Sequence, residues 1–120
     1  MIINKTNKRV RKNYPLTSAQ LTIVENYVTT TFINTMVKGK FYAVRDVFGG
    51  INNRDWLVQH PTLGVLYLSR CSVPTQTNVD KNAHRLAAQD LGHIIFNLLD
   101  KSPFLYEQRK SWKANEYKLL

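Results

Sequence analysis

The sequence predicts a small, mainly helical domain, and three observations lead to that prediction. The chain has 120 residues, a length typical of one domain that folds without a metal or disulfides. Its composition, 43% hydrophobic and 21% charged, is that of a globular protein rather than a disordered chain. Two long segments repeat apolar residues at spacings of three and four, the pattern of a helix with one buried face.

The first helix is predicted over residues 18–38. Thr17 suits the N-cap position, and Gln20 three residues later completes a capping box. Gly39 follows the last predicted turn and can adopt the left-handed conformation that ends a helix. The apolar stripe of this helix consists of Leu21, Val24, Val28, Phe32 and Met36.

The second long helix is predicted over residues 80–100, and three other segments are harder to assign. Residues 40–50 favour a short helix, with an edge strand as the alternative. Residues 63–73 are apolar on every side, so a strand and a buried helix fit equally well. Ser102-Pro103 is typical of a helix start and predicts a third, C-terminal helix. If residues 63–73 form a strand, the alternative fold is an α+β domain resembling a winged helix. The predicted buried face of the second helix consists of Ala87, Leu91, Ile94, Ile95 and Leu98.

Charge divides the chain into a basic N-terminal arm, residues 1–14, and a globular domain, residues 15–120. Residues 1–24 hold five cations and no acid, whereas residues 25–100 hold seven cations and six acids. Residues 101–120 hold five cations and two acids, so most of the net charge of +9 lies at the two ends. Because the arm has no apolar period, deletion of residues 1–13 is expected to leave the fold nearly unchanged.

This distribution favours an acidic partner, and the first hypothesis is a non-enzymatic protein that binds DNA or RNA. In this reading the cations contact phosphates, and Tyr14, Tyr106 or Trp112 can stack on the bases of a single strand. The predicted phosphate-binding residues are Lys5, Lys8, Arg9, Arg11, Lys12, Arg109, Lys110 and Lys113.

Enzymatic chemistry is weakly supported by the sequence. Cys71 and His60 could form a nucleophile and its base, oriented by Asp55, but no family-specific sequence surrounds them. His84 and His93 are nine residues apart on one predicted helix and therefore face opposite sides, which excludes a shared metal ion. No phosphate-binding loop, HExxH, GxSxG or CxxC motif occurs. We therefore predict no catalytic residues, metal or cofactor.

The alternative hypothesis is a protein interaction module. It would be a subunit of a larger assembly such as a virion, or an inhibitor that docks on an acidic protein surface. The lysine-, asparagine- and threonine-rich composition is similar to that of small proteins encoded by bacteriophages and mobile elements. No apolar run is long enough to span a membrane, and residues 1–24 lack the apolar region of a signal peptide. An intracellular or cytoplasmic location is therefore expected. The partner's identity and the oligomeric state do not follow from the sequence.

Overall fold

The fold is α+β rather than mainly helical. The structure, a computed structural model, describes residues 1–4, 13–48, 56, 60–71, 81–110 and 115–120. The predicted fold class is wrong because the C-terminal segment pairs into a sheet with a short strand from the middle of the chain. The helices are α1 (Ser18–Thr31), α2 (Val44–Phe48), α3 (Pro61–Leu68) and α4 (Lys81–Lys101), and the strands are β1 (Phe41–Ala43), β2 (Tyr106–Lys110) and β3 (Asn115–Leu119).

Helix α1 begins as predicted and ends earlier than predicted. The backbone N–H of Gln20 donates to Thr17 Oγ1 at 3.1 Å, and the N–H of Thr17 donates to Gln20 Oε1 at 2.9 Å, which confirms the capping box. The α-helix stops at Thr31, and a 3₁₀ turn follows over residues 33–35. β-branched threonines weaken this last turn. Gly39 has the expected positive φ of 84°, but in the turn that leads into β1.

The apolar stripe of α1 extends past the end of the helix. Phe32 and Met36 flank the 3₁₀ turn, and both remain buried in the core. The buried members are Val24, Val28, Phe32 and Met36, and Leu21 is half-buried against them.

The two ambiguous segments have different outcomes. Residues 40–50 combine both alternatives, since β1 covers residues 41–43 and α2 covers residues 44–48. Within residues 63–73, the chain is helical up to Leu68, with Pro61 in the first turn of α3. The alternative is therefore matched only in its α+β class, because its winged-helix topology needed a strand here.

Helix α4 matches the predicted second helix to within a residue at either end. Its buried face includes Leu99 in place of the predicted Leu98, which is half-buried. A partly buried ion pair joins this helix to the end of α3: Arg70 Nε and Nη2 donate to the two oxygens of Asp90 at 2.8 and 2.9 Å. The hydrogen bond to Asp90 raises the pKa of the Arg70 guanidinium. Asp90 is fully buried, so the pair fixes where α3 ends on α4.

The predicted C-terminal helix is wrong, and a β-hairpin takes its place. Strand β3 pairs antiparallel with β2, and also with β1, so the order in the sheet is β1-β3-β2. Alternate residues of β2 are buried, as in a strand with one face on a core. One of the buried residues is the polar Gln108, so the period-two signal is weak in the sequence.

Residues 1–4 are part of the folded unit. Ile2 forms a parallel bridge with Tyr106 and is only 2% exposed. The side-chain amide of Asn4 imitates a strand backbone: Nδ2 donates to the carbonyl of Gln108 at 2.8 Å, and Oδ1 accepts from its N–H at 2.7 Å. These contacts cover the outer edge of β2. The expectation that residues 1–13 can be deleted without loss of stability is therefore wrong for this first stretch.

A candidate nucleic-acid interface on the outer sheet face

The two faces of the sheet differ in burial and in chemistry. Tyr106, Gln108 and Tyr117 point into the core. The opposite side, which we call the outer sheet face, carries residues that alternate with them and stay partly or fully exposed. It consists of Phe41, Glu107, Arg109, Glu116 and Lys118.

Arg109 is held in a defined position on this face. Its guanidinium carbon lies 3.8 Å from the centroid of the Phe41 ring, the distance of a stacked cation–π contact. Its Nε donates to Glu116 Oε1 at 2.7 Å. In the strand register Arg109 is opposite Glu116 on β3, and Phe41 on β1 is opposite Lys118, so the Arg109 side chain reaches Phe41 diagonally across β3.

A second cation flanks the same aromatic ring. Lys118 is directly opposite Phe41 in the register, and its Nζ lies 4.8 Å from the ring centroid. The same Nζ is 2.9 Å from Glu107 Oε2. Each cation of the face is therefore paired with one carboxylate, and the face is neutral; Lys110, at the end of β2, is exposed but lies on the side of Tyr106 and Gln108.

The charge pairing leaves Arg109 able to bind a further group. The Arg109 side chain is 54% exposed and the Glu116 side chain is 18% exposed, so the guanidinium is more accessible to solvent than the carboxylate. One planar surface of the guanidinium contacts Phe41, and only Nε donates to Glu116. The Nη donors are the ones that bind phosphate in a bidentate manner, and the outer planar surface can stack on a base.

Among the predicted phosphate-binding residues, the structure describes two. Arg109 and Lys110 are adjacent and exposed on β2. Those that lie outside the described residues are Lys5, Lys8, Arg9, Arg11, Lys12 and Lys113.

The predicted stacking residues are largely not available at this face. Tyr106 is 2% exposed and belongs to the core, which excludes it as a stacking platform. The Tyr14 hydroxyl accepts a hydrogen bond from Asn97 Nδ2 at 3.2 Å, beside a cleft of about 220 Å³ between α1 and α4. Trp112 lies outside the described residues. Sequence reasoning missed Phe41, since its position opposite Lys118 depends on a pairing between segments far apart in the chain.

The structure separates His60 from Cys71 in the weighed enzymatic hypothesis, and Asp55 lies outside the described residues. His60 precedes the first turn of α3 and Cys71 follows its last, so the eight-residue helix between them spans roughly 12 Å. His60 Nδ1 instead shares a hydrogen bond with the Tyr27 hydroxyl at 2.5 Å, and His84 is buried against the Tyr67 ring. Within the described ranges, no three His, Cys, Asp or Glu side chains are close enough to hold a metal ion.

Comparisons with protein-family models, with curated proteins and with solved structures find no match to this chain. In the part of the chain that the structure describes, no helix is both long and apolar enough to cross a membrane.

Proposed function

We propose that this protein is a non-enzymatic nucleic-acid-binding protein whose outer sheet face contacts the bound DNA or RNA. The observation that supports this most is the guanidinium of Arg109, stacked on Phe41, held by Glu116 and half exposed. Arginine in this arrangement offers bidentate donors to a phosphate and a flat surface to a base. Holding the side chain in place beforehand reduces the entropy lost on binding.

The overall charge supports a polyanionic partner. The net charge of +9 comes mainly from the two terminal segments, whereas the outer sheet face is nearly neutral. In this proposal the cations of residues 5–12 and Lys113 supply long-range attraction and phosphate contacts. The outer sheet face then orients the bound nucleic acid. An intracellular location belongs to the same proposal, because nucleic acids are accessible there.

The geometry favours single strands over a duplex. An exposed sheet with an aromatic ring and a planar guanidinium is suited to unstacked bases, which lie flat on such surfaces. In a duplex the bases are already stacked on one another, so the Arg109–Phe41 pair could contact only the backbone.

The experiment is a fluorescence anisotropy titration of labelled single-stranded DNA, single-stranded RNA and duplex DNA over a range of salt concentrations. For Arg109→Ala we expect weaker binding and a slope of log K against log salt that is shallower by about 0.7 on single strands. Arg85→Ala is the matched control, because Arg85 is exposed on α4 and contacts Asn82 rather than the sheet. Arg109→Lys keeps the charge and should lose the stacking contribution.

Two results would contradict the proposal. One is an absence of binding to any nucleic acid at low salt, which would leave an acidic protein surface as the better candidate partner. The other is an Arg109→Ala variant that binds with the affinity and salt slope of the Arg85→Ala control.

A further inference from the structure

Exposed apolar side chains are concentrated at one end of the sheet. The described residues include eight large hydrophobic side chains that are exposed, and five of them belong to this end. We call these five the apolar end, and each is 43–62% exposed: Met1, Ile3, Phe104, Leu105 and Leu120. Scattered surface hydrophobics are ordinary, but a contiguous group of this kind indicates an interaction site.

Backbone hydrogen bonds show that the five residues are neighbours. The N–H of Tyr106 donates to the carbonyl of Met1 at 2.9 Å, and the N–H of Ile3 donates to the carbonyl of Tyr106 at 2.9 Å. The N–H of Leu120 donates to the carbonyl of Leu105 at 3.0 Å. Three adjacent chain segments therefore meet at this end of the sheet.

The apolar end continues the outer sheet face. Ile2 and Tyr106 are partners and both point into the core, so Met1, Ile3 and Leu105 point to the other side. None of the five residues lines the cleft between α1 and α4, which reaches Lys101 at the end of α4.

Three exposed lysines lie near the apolar end, and one carboxylate, Asp100, accepts a hydrogen bond from the N–H of Ile2 beside it. Lys101 ends α4, three residues before Phe104, and is exposed. Lys38 and Lys40 are exposed on either side of Gly39, whose N–H donates to the carbonyl of Leu119 at 2.9 Å. Two copies of the chain joined at this end would bring these lysines together, and their repulsion disfavours a second copy as the occupant. The charges favour an anionic occupant.

We propose that the apolar end docks on an anionic lipid bilayer surface. Projecting apolar side chains insert at the boundary of headgroups and acyl chains, while the lysines around them contact anionic headgroups. Stable attachment of a peripheral protein takes two such signals together, and this end of the sheet supplies both. The apolar end adjoins the outer sheet face but includes neither Arg109 nor Phe41, so the inference does not depend on the proposed nucleic-acid function.

The experiment is co-sedimentation of the full chain with sucrose-loaded vesicles of phosphatidylcholine alone or with 30% phosphatidylglycerol (about one anionic lipid in three, enough for a strong negative surface potential). We expect binding to the anionic vesicles to be at least tenfold tighter than to the neutral ones. The double variant Phe104→Ser/Leu105→Ser should lower the partition coefficient at least tenfold. Ile23→Ser is the matched control, because Ile23 is 58% exposed on α1 and lies outside the apolar end.

A second pair of variants tests the charges. Lys101→Ala and Lys38→Ala should each weaken binding to the anionic vesicles by about fivefold, the effect of one cation near such a surface. Circular dichroism should show the same fold for every variant, since all the substituted side chains are exposed. The Phe104→Ser/Leu105→Ser variant should retain the nucleic-acid affinity of the unmodified chain, and Arg109→Ala should retain vesicle binding.

Three outcomes would overturn the inference. The first is that the chain binds neither kind of vesicle. The second is that the Phe104→Ser/Leu105→Ser variant binds anionic vesicles like the Ile23→Ser control, which would mean that charge alone attracts the protein. The third is a dimer in sedimentation equilibrium that the double variant abolishes, which would make a second copy the occupant.

Discussion

Substitution of Ile2 by alanine should destabilise the protein far more than the same substitution at the next residue. Ile2 is 2% exposed and packs in the core beside Tyr106, whereas Ile3 is 53% exposed. Truncation of a buried isoleucine to alanine costs about 2–5 kcal/mol of unfolding free energy, through lost burial and the cavity left behind. Truncation of the exposed neighbour should cost less than about 0.5 kcal/mol.

The assay is urea denaturation followed by far-ultraviolet circular dichroism, with both variants and the unmodified chain. For a chain of this length the expected loss at Ile2 corresponds to a Tm lower by roughly 8–20 °C. If the Ile2→Ala variant is too unstable to purify, Ile2→Val gives a milder loss of ~0.5–1.5 kcal/mol on the same scale. Equal stabilities for Ile2→Ala and Ile3→Ala would refute the placement of residues 1–4 on the edge of β2.

Three further predictions concern stability. Thr17→Ala should lower the unfolding free energy by about 0.5–2 kcal/mol, because the N-cap hydrogen bond of α1 is lost; a loss below that range would contradict the cap. Asp90→Ala should cost ~3 kcal/mol, since it leaves Arg70 without its buried partner, and denaturation of the Arg70→Met/Asp90→Leu double variant should show part of that recovered. Burial raises the pKa of Tyr117, so above about pH 10 the folded state retains a proton that the unfolded state loses. Stability should therefore fall as pH rises, and Tyr117→Phe should make that fall shallower by up to ~1.4 kcal/mol per pH unit; identical pH profiles would contradict it.

The features that could be predicted from the sequence are those set by residues close together along the chain. The capping box at Thr17 and Gln20 is a three-residue pattern with its own hydrogen bonds, and it is present as predicted. Helix α4 was predicted because its apolar period runs over many residues, and the observed bounds agree closely. Such features depend on neighbours along the chain, which a reader of the sequence can see.

The sheet depends on contacts between segments far apart in the chain, and for this part of the fold the sequence-based prediction was wrong. Strand β2 reads Tyr-Glu-Gln-Arg-Lys, and its inward positions include Gln108, whose backbone is bonded to Asn4. Nothing near Gln108 in the sequence reveals that partner, so the segment after Pro103 was read as a helix. Phe41 was missed for the same reason, because its role follows from its position across β3 from Arg109.

The central claim is that nucleic acid lies on the outer sheet face, and a nuclear magnetic resonance titration tests it most directly. An oligonucleotide of eight thymidines would be added to the ¹⁵N-labelled chain, and backbone amide shifts followed at low salt. We predict that the largest shifts among the described residues cluster at Phe41, Arg109, Lys110 and Lys118 on the three strands. Shifts confined to α1 and α4, or no shifts with saturating oligonucleotide, would contradict the claim.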